Sequence, residues 1–353
     1  MPKTIIQGRL SHKLRSLATS TWVFSKVLAR RAMGRPVVPE WPFLFEYATL
    51  YIRSQFNHAF EMREVAESRA YFDSLYSVFE TFPDVEIRPA CPGESPGDWF
   101  IPRACQSDVT MLHFHGGGYT FYAGVSRHFI ALLAHTLGIV IFAPDYRLTP
   151  EHPHPAQIED GLAAYKFLLA QGINPRKLVV CGDSAGGHLA LMTLVNLREA
   201  GLPQPALGIG LSPWTDTGRR GESQFGNDPY DLVQGYMTLQ FAAWLKGNKP
   251  YTDAELSPIY QSLDDLCPIY LQAGGKEILV DMIRDFARAV QGQGGSVRLD
   301  VWEHMNHEFH AYGNHLPESR EALERIREAI FWGQGKPEGF SACLRTEVDA
   351  LIS

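Results

Sequence analysis

The hexapeptide Gly182-Asp183-Ser184-Ala185-Gly186-Gly187 constrains this chain more than any other feature. An apolar run at 177–181 leads into it, and a helical pattern starts near Gly186. A Gly-x-Ser-x-Gly turn between strand and helix needs glycine on both sides of the serine. The strained turn leaves no room for larger side chains and pushes the serine Oγ out above the sheet. Upstream, the apolar run 109–114 ends in His115-Gly116-Gly117-Gly118, whose bare backbone N–H groups can face a developing oxyanion. A weak nucleophile and an oxyanion stabiliser are two of the three things that acyl-transfer chemistry requires. Each motif alone also reads as an ordinary glycine turn; their order, each directly after an apolar strand, gives them weight.

The rest of the composition sets outer limits. With 353 residues, 45% hydrophobic and 20% charged, the chain can build one large α/β domain plus a cap, or two domains. A net charge of −7 argues against a general nucleic-acid binder. Residues 1–39 hold eight Lys/Arg and no Asp or Glu, leaving 24 basic against 39 acidic residues beyond them. Such an N-terminus reads first as a cap helix with a solvated basic face, and as alternatives suits weak contact with an anionic membrane surface or a transit peptide. No secretory signal is expected, because Lys26, Arg30 and Arg31 interrupt any apolar core there. No transmembrane span is expected either, since the longest apolar run, 129–143, contains His135 and Gly138. Five irregularly spaced cysteines (Cys91, Cys105, Cys181, Cys267, Cys343) argue against a disulfide framework and fit a reducing, cytoplasmic setting.

The centre of the chain alternates short apolar strands with helical segments, the pattern of a mostly parallel sheet covered on both faces. Strands are expected at 109–114, 139–143, 178–181, 207–211, 268–272 and 297–301, and helices at 127–137, 155–171, 186–200, 278–292 and 318–332. This assigns 81–214 and 257–333 to a catalytic α/β domain and 334–353 to a tail. Two regions break the rhythm. Residues 1–80 read as a helical cap segment, in which Leu44, Tyr47, Ala48, Tyr51 and Ile52 form one apolar stripe. Residues 215–256 read as a cap insertion rich in aromatics. The two should pack on each other above the carboxyl edge of the sheet, either as core filling or as the lining of an acyl pocket.

A serine hydroxyl needs a base, and the base needs an orienting carboxylate. When these follow the nucleophile in the order acid then histidine, each at the end of a later strand, this chain has candidates at both places. The loop after 268–272 carries Glu277, and the loop after 297–301 carries His304 and His307.

From about Asp98 to Trp332 the chain resembles the hormone-sensitive-lipase-like branch of the α/β-hydrolases, the bacterial family IV type of carboxylesterase with a helical cap. Several blocks carry the likeness: His115-Gly116-Gly117-Gly118-Tyr119, the stretch from Asp145 to Pro153, Gly182 to Gly187, Leu211 to Asp216, and Met305-Asn306-His307-Glu308-Phe309. The resemblance implies Ser184 as nucleophile, His307 as general base, and the N–H groups of Gly117, Gly118 and Ala185 as the oxyanion hole. It departs at the acid, where many members have Asp-Pro-Leu and this chain has Glu277-Ile278-Leu279, with Asp281 close behind. Glu277 is the favoured acid and Asp281 the runner-up, because Asp281 falls one turn into the following helix.

The implied activity is hydrolysis of short- to medium-chain acyl esters, a small-molecule substrate with no cofactor. Amidase, lactonase or acyltransferase chemistry could use the same machinery. A non-catalytic ligand receptor on this scaffold is the other reading, and His307 in its expected motif argues against it. His115 reads as a brace for its glycine turn; Arg147 with Glu151, and Glu159 with Asp160, read as pairs that fix loops. His113 with His115, and His304, His307 and His310, have spacings a zinc ion could use, but no carboxylate or cysteine completes a metal pattern. The glycine turns lack both the P-loop and the dinucleotide fingerprints. The sequence leaves the oligomeric state open, a homodimer included.

Overall fold

The computed structural model describes residues 3–78 and 80–336; residues 337–353, with Cys343 and most of the expected tail, lie outside that range. The chain begins with strand β1 (Lys3–Ile6), helices α1 (Leu10–Ala32), α2 (Phe43–Phe60) and α3 (Val65–Phe72), and strand β2 (Leu75–Val78). The expected all-helical start therefore needs amending, because β1 and β2 pair antiparallel and close the helices into a loop. Strands β3 (Val85–Pro89) and β4 (Gly97–Pro102) follow. The α/β alternation then runs through β5 (Thr110–Phe114), α4 (Gly124–Leu137), β6 (Val140–Pro144), α5 (Ala156–Ala170), β7 (Leu178–Asp183), α6 (Ala185–Glu199) and β8 (Leu207–Leu211). An excursion with short turns α7 (Ser223–Gly226) and α9 (Asp253–Leu256) around helix α8 (Gly235–Lys246) precedes β9 (Ile269–Gly274), α10 (Val280–Gly292), β10 (Val297–Trp302) and α11 (Pro317–Gly333).

Eight of these strands form one sheet in the order β10-β9-β8-β7-β5-β6-β4-β3. The six strands from β10 to β6 are parallel, and β4 and β3 add antiparallel at one edge. Every residue of β7, β8 and β9 is buried, as continuous apolar runs covered on both faces should be. Alternate side chains serve opposite layers. Leu112, Phe114 and Val180 pack with α5, α6 and α10, whereas Met111, Val179 and Cys181 pack with α4 and α11. Each fully buried Leu or Phe in these layers contributes about 1.5–3 kcal/mol relative to exposure. Parallel pairing brings the ends of β5, β7, β9 and β10 to one edge, with Phe114 beside Gly182 and Gly274 beside Trp302. Every motif singled out in the sequence leaves the sheet at that edge.

Candidate active site

The nucleophile turn follows from two glycines. A Cβ at Gly182 would run into the Gly186 carbonyl, and one at Gly186 into the Phe114 carbonyl, so only glycine lets β7, the turn and β5 approach this closely. Between them Ser184 takes φ 54° and ψ −118°, a strained conformation for a residue with a side chain. Its N–H donates to Leu211 O, and its own carbonyl accepts from the N–H groups of His188 and Trp214. The backbone is pinned by three hydrogen bonds, which fixes where the side chain leaves the turn. The hydroxyl points at His307, with Ser184 Oγ and His307 Nε2 2.9 Å apart.

Behind the imidazole, Glu277 Oε2 lies 3.4 Å from His307 Nδ1, and both side chains are buried. Asp281 is directed elsewhere. It accepts the Ser223 N–H at 2.9 Å and sits 3.7 Å from Arg284 on the surface of α10. Thus the structure brings Ser184, His307 and Glu277 together and leaves Asp281 apart. Gly117, Gly118 and Ala185 face the same cavity as Ser184 and His307. Gly117 and Gly118 both take positive φ (100° and 60°), which glycine adopts without strain. His115 holds this turn: its Nδ1–H donates to Gly116 O at 2.7 Å, and its ring stacks between Tyr122 and Tyr146. Burial pulls that imidazole down to about 4, which keeps it neutral.

Three carboxylates around this cluster were given no role by the sequence: Asp183 and Glu308 lie inside the motifs described above, and Asp231 lies outside every motif. Asp231, fully buried within the 215–256 excursion, accepts the N–H of His307 at 3.1 Å and of Leu232 at 2.7 Å on one oxygen. Its other oxygen accepts the Ile278 N–H at 2.7 Å. One side chain therefore ties together the loops that carry His307 and Glu277. Burial pushes its carboxyl up to about 6, with the charge of Glu277 adding and His307 opposing. Asp183 accepts from His113 Nε2 at 2.9 Å and from the Gly116 N–H at 2.8 Å, joining the serine turn to the glycine turn. Burial alone would raise it, but His113 and the other donors hold it below the usual carboxylate range. Glu308 bonds to Asp183 and approaches His307 Nε2 to 3.7 Å. Burial, reinforced by the charge of Asp183, pushes Glu308 up to about 8, so at neutral pH it is the proton donor of the pair. At His307 burial disfavours the charged ring, yet the surrounding carboxylates Glu277, Glu308 and Asp231 prevail and hold it up at about 9.

Above the serine lies a cavity of about 470 Å³. All five members of the apolar stripe read in α2, from Leu44 to Ile52, line it, and Tyr51, with Tyr47 and Ile52 beside it, also packs into a small core with Val23, Val27 and Leu75. From the later excursion come Leu232, Val233 and Phe241. The two regions meet where Phe60 of α2 contacts Phe241 at 5.1 Å and Trp244 at 5.7 Å between ring centres. Phe225 and Tyr236 stay exposed instead. The loop pairs also differ from expectation. Arg147 binds Asp160 and Glu159, while Glu151 pairs with Arg69 across to α3, because the Asp145–Pro153 stretch folds back under the N-terminal helices.

A family model of the alpha/beta hydrolase fold matches residues 111–311. The chain is 34% identical over 274 residues to an acetyl-hydrolase from Streptomyces hygroscopicus, covering 76% of this chain and 88% of that protein. To an esterase from Acinetobacter venetianus it is 30% identical over 264 residues, 74% of this chain and 86% of the other. Among solved structures, an esterase from the bacterial hormone-sensitive lipase family superposes with a TM-score of 0.73 at 32% identity, covering 80% of this chain and 97% of that one. A Ser–His–Glu cluster at the carboxyl edge of a mostly parallel sheet, with relatives of this length and identity, leads to one assignment: the chain belongs to the α/β-hydrolase family, in its hormone-sensitive-lipase-like esterase branch.

Proposed function

We propose that this protein is a serine carboxylesterase in which Ser184, His307 and Glu277 act as the triad and the N–H groups of Gly117, Gly118 and Ala185 form the oxyanion hole. The observation that carries the reading is the 2.9 Å approach of His307 Nε2 to Ser184 Oγ at the floor of an apolar cavity. In the neutral form of His307, Nε2 accepts the serine proton as Oγ attacks the ester carbonyl, and Glu277 stabilises the imidazolium through Nδ1. The tetrahedral oxygen settles on the glycine turn and the N-terminus of α6, whose helix dipole favours negative charge there. His307 returns its proton to the leaving alcohol. Water, activated by the same nitrogen, then releases the acid.

Short to medium acyl groups fit a cavity of this size closed by Phe241 and Trp214. The name of the Streptomyces relative, an acetyl-hydrolase, supports the short end of that range. The test is hydrolysis of p-nitrophenyl butyrate by the purified chain. Ser184→Ala should remove about 10⁴-fold or more of kcat while leaving the thermal midpoint near that of the parent. EDTA should leave the parent's rate unchanged. An active Ser184→Ala variant, or loss of rate to EDTA, overturns the reading.

A further inference from the structure

Helix α1 carries two different faces. His12, Ser16, Val23 and Val27 are buried against the body of the protein. On another side Leu10, Leu14, Leu17, Thr21, Phe24 and Leu28 recur three or four residues apart, which at 3.6 residues per turn makes a single continuous stripe. Its apolar members are between 42% and 70% exposed, far from the scatter of single surface leucines that any protein shows. Lys13 borders the stripe on one side; on the other, beyond Ser11, Ala18 and Ser25, lie Trp22, Arg15 and Lys26. Eight Lys/Arg and no acid occur in residues 1–39, and among the described residues Arg9 and Arg31 pair with carboxylates, Glu67 and Glu46. No helix among the described residues is long and apolar enough to cross a membrane. The stripe runs into the catalytic cavity, because Leu17 and Ser20 of α1 share its mouth with Leu44 and Tyr47 of α2.

We infer that α1 docks the enzyme on an anionic lipid surface, so that its substrates are short-acyl esters of lipophilic alcohols held in that surface. The inference rests on the esterase reading above. A leucine stripe on a helix that also carries lysine, arginine and tryptophan is the pattern of a helix lying in a membrane interface, where each basic residue near anionic lipid adds to binding. The spacing alone would also suit a seam with a second copy of α1. Charge decides against that partner: two such helices would set Lys13 against its own kind and bring two basic segments together, with no acid in the segment to pair them. Docked this way, the cavity mouth meets the lipid. The acyl group enters toward Ser184, the ester C–O bond breaks with water supplying the hydroxyl to the acid and a proton to the alcohol, and the lipophilic alcohol stays in the surface.

The test uses the full chain. As Ser184→Ala it should co-sediment with phosphatidylglycerol vesicles and not with phosphatidylcholine vesicles, and it should be released as salt rises from about 0.1 M to about 1 M. Lys13→Gln with Lys26→Gln should weaken that binding by about tenfold or more. Leu14→Glu with Leu28→Glu should abolish it. In the active background both variants should keep the parent's kcat/KM on dissolved p-nitrophenyl butyrate, yet lose their rate on dodecyl butyrate carried in phosphatidylglycerol vesicles. Equal binding to both lipids, no binding, or unchanged vesicle rates in both variants overturns the inference. So does a dimer, seen by light scattering, that the leucine variant dissociates. Inactivity of the parent on p-nitrophenyl butyrate would instead remove the esterase reading, while vesicle binding would still stand.

Discussion

Glutamate at position 277 reaches His307 from the loop after β9, and the geometry separates it from its neighbour Asp281. Glu277 lies behind Nδ1, whereas Asp281 is committed to the Ser223 backbone and faces Arg284. Glu277→Gln should therefore cost about 10⁴-fold in kcat by mis-setting the imidazole tautomer, and Asp281→Asn far less. Measuring kcat for both on one ester ranks them; the opposite order would reassign the acid. His307 also sets the pH response. As the proposed base it must be neutral to accept the serine proton, and its surroundings raise it from 6.5 to about 9, so the competent fraction should grow as pH rises through that value. The acid limb of kcat/KM should then lie well alkaline of an ordinary histidine. Glu308 is one of the groups that raises it, so Glu308→Gln should move the limb toward acid. A limb near 6.5 in the parent, or no movement in the variant, would refute this.

At the scale of the elements, what could be read from the sequence was whatever the local backbone dictates. Gly182 and Gly186 are needed by the turn itself, so the hexapeptide announced the elbow between β7 and α6 before any contact was known. The six parallel strands were legible because burial on both faces leaves apolar runs with nothing else to be. Strands β3 and β4 were not: β3 has four of its five residues exposed, while β4, though largely buried, opens on Gly97-Asp98 and closes at Pro102, which breaks up its apolar pattern. The pairing of β1 with β2 hid for a different reason, since more than sixty residues separate the partners. Asp231 and Glu308 were out of reach in the same way. Their importance comes from backbone N–H groups and carboxylates brought near by the fold, and an aspartate between Tyr230 and Leu232 looks like any other. Glu277 sat between these cases, placed by strand order and chosen over Asp281 by helix phase.

Across the whole molecule, two segments remote in sequence close one cavity. Helix α2 supplies its apolar stripe, the 215–256 excursion supplies Leu232, Val233 and Phe241, and the rings of Phe60, Phe241 and Trp244 lock the two together over Ser184. Phe241 also lies directly against Gly118, where an added Cβ would meet its ring, so its side chain forms the wall nearest the expected oxyanion donors. In the proposed esterase, a rigid aromatic wall should set a length limit on the acyl group. Each methylene that fits should gain about 0.8 kcal/mol, and the first that does not should lose the fit altogether. Across p-nitrophenyl esters of increasing length, kcat/KM should rise over the first few carbons and fall sharply before the long-chain members. Phe241→Leu keeps an apolar side chain but shortens the wall, and buried substitutions of this kind cost only modest stability. It should shift the drop to longer acyl groups and leave acetyl ester hydrolysis within a few-fold of the parent. A profile that is flat from acetyl to palmitoyl, or one that Phe241→Leu leaves where it was, would mean that the limit lies elsewhere than in this wall.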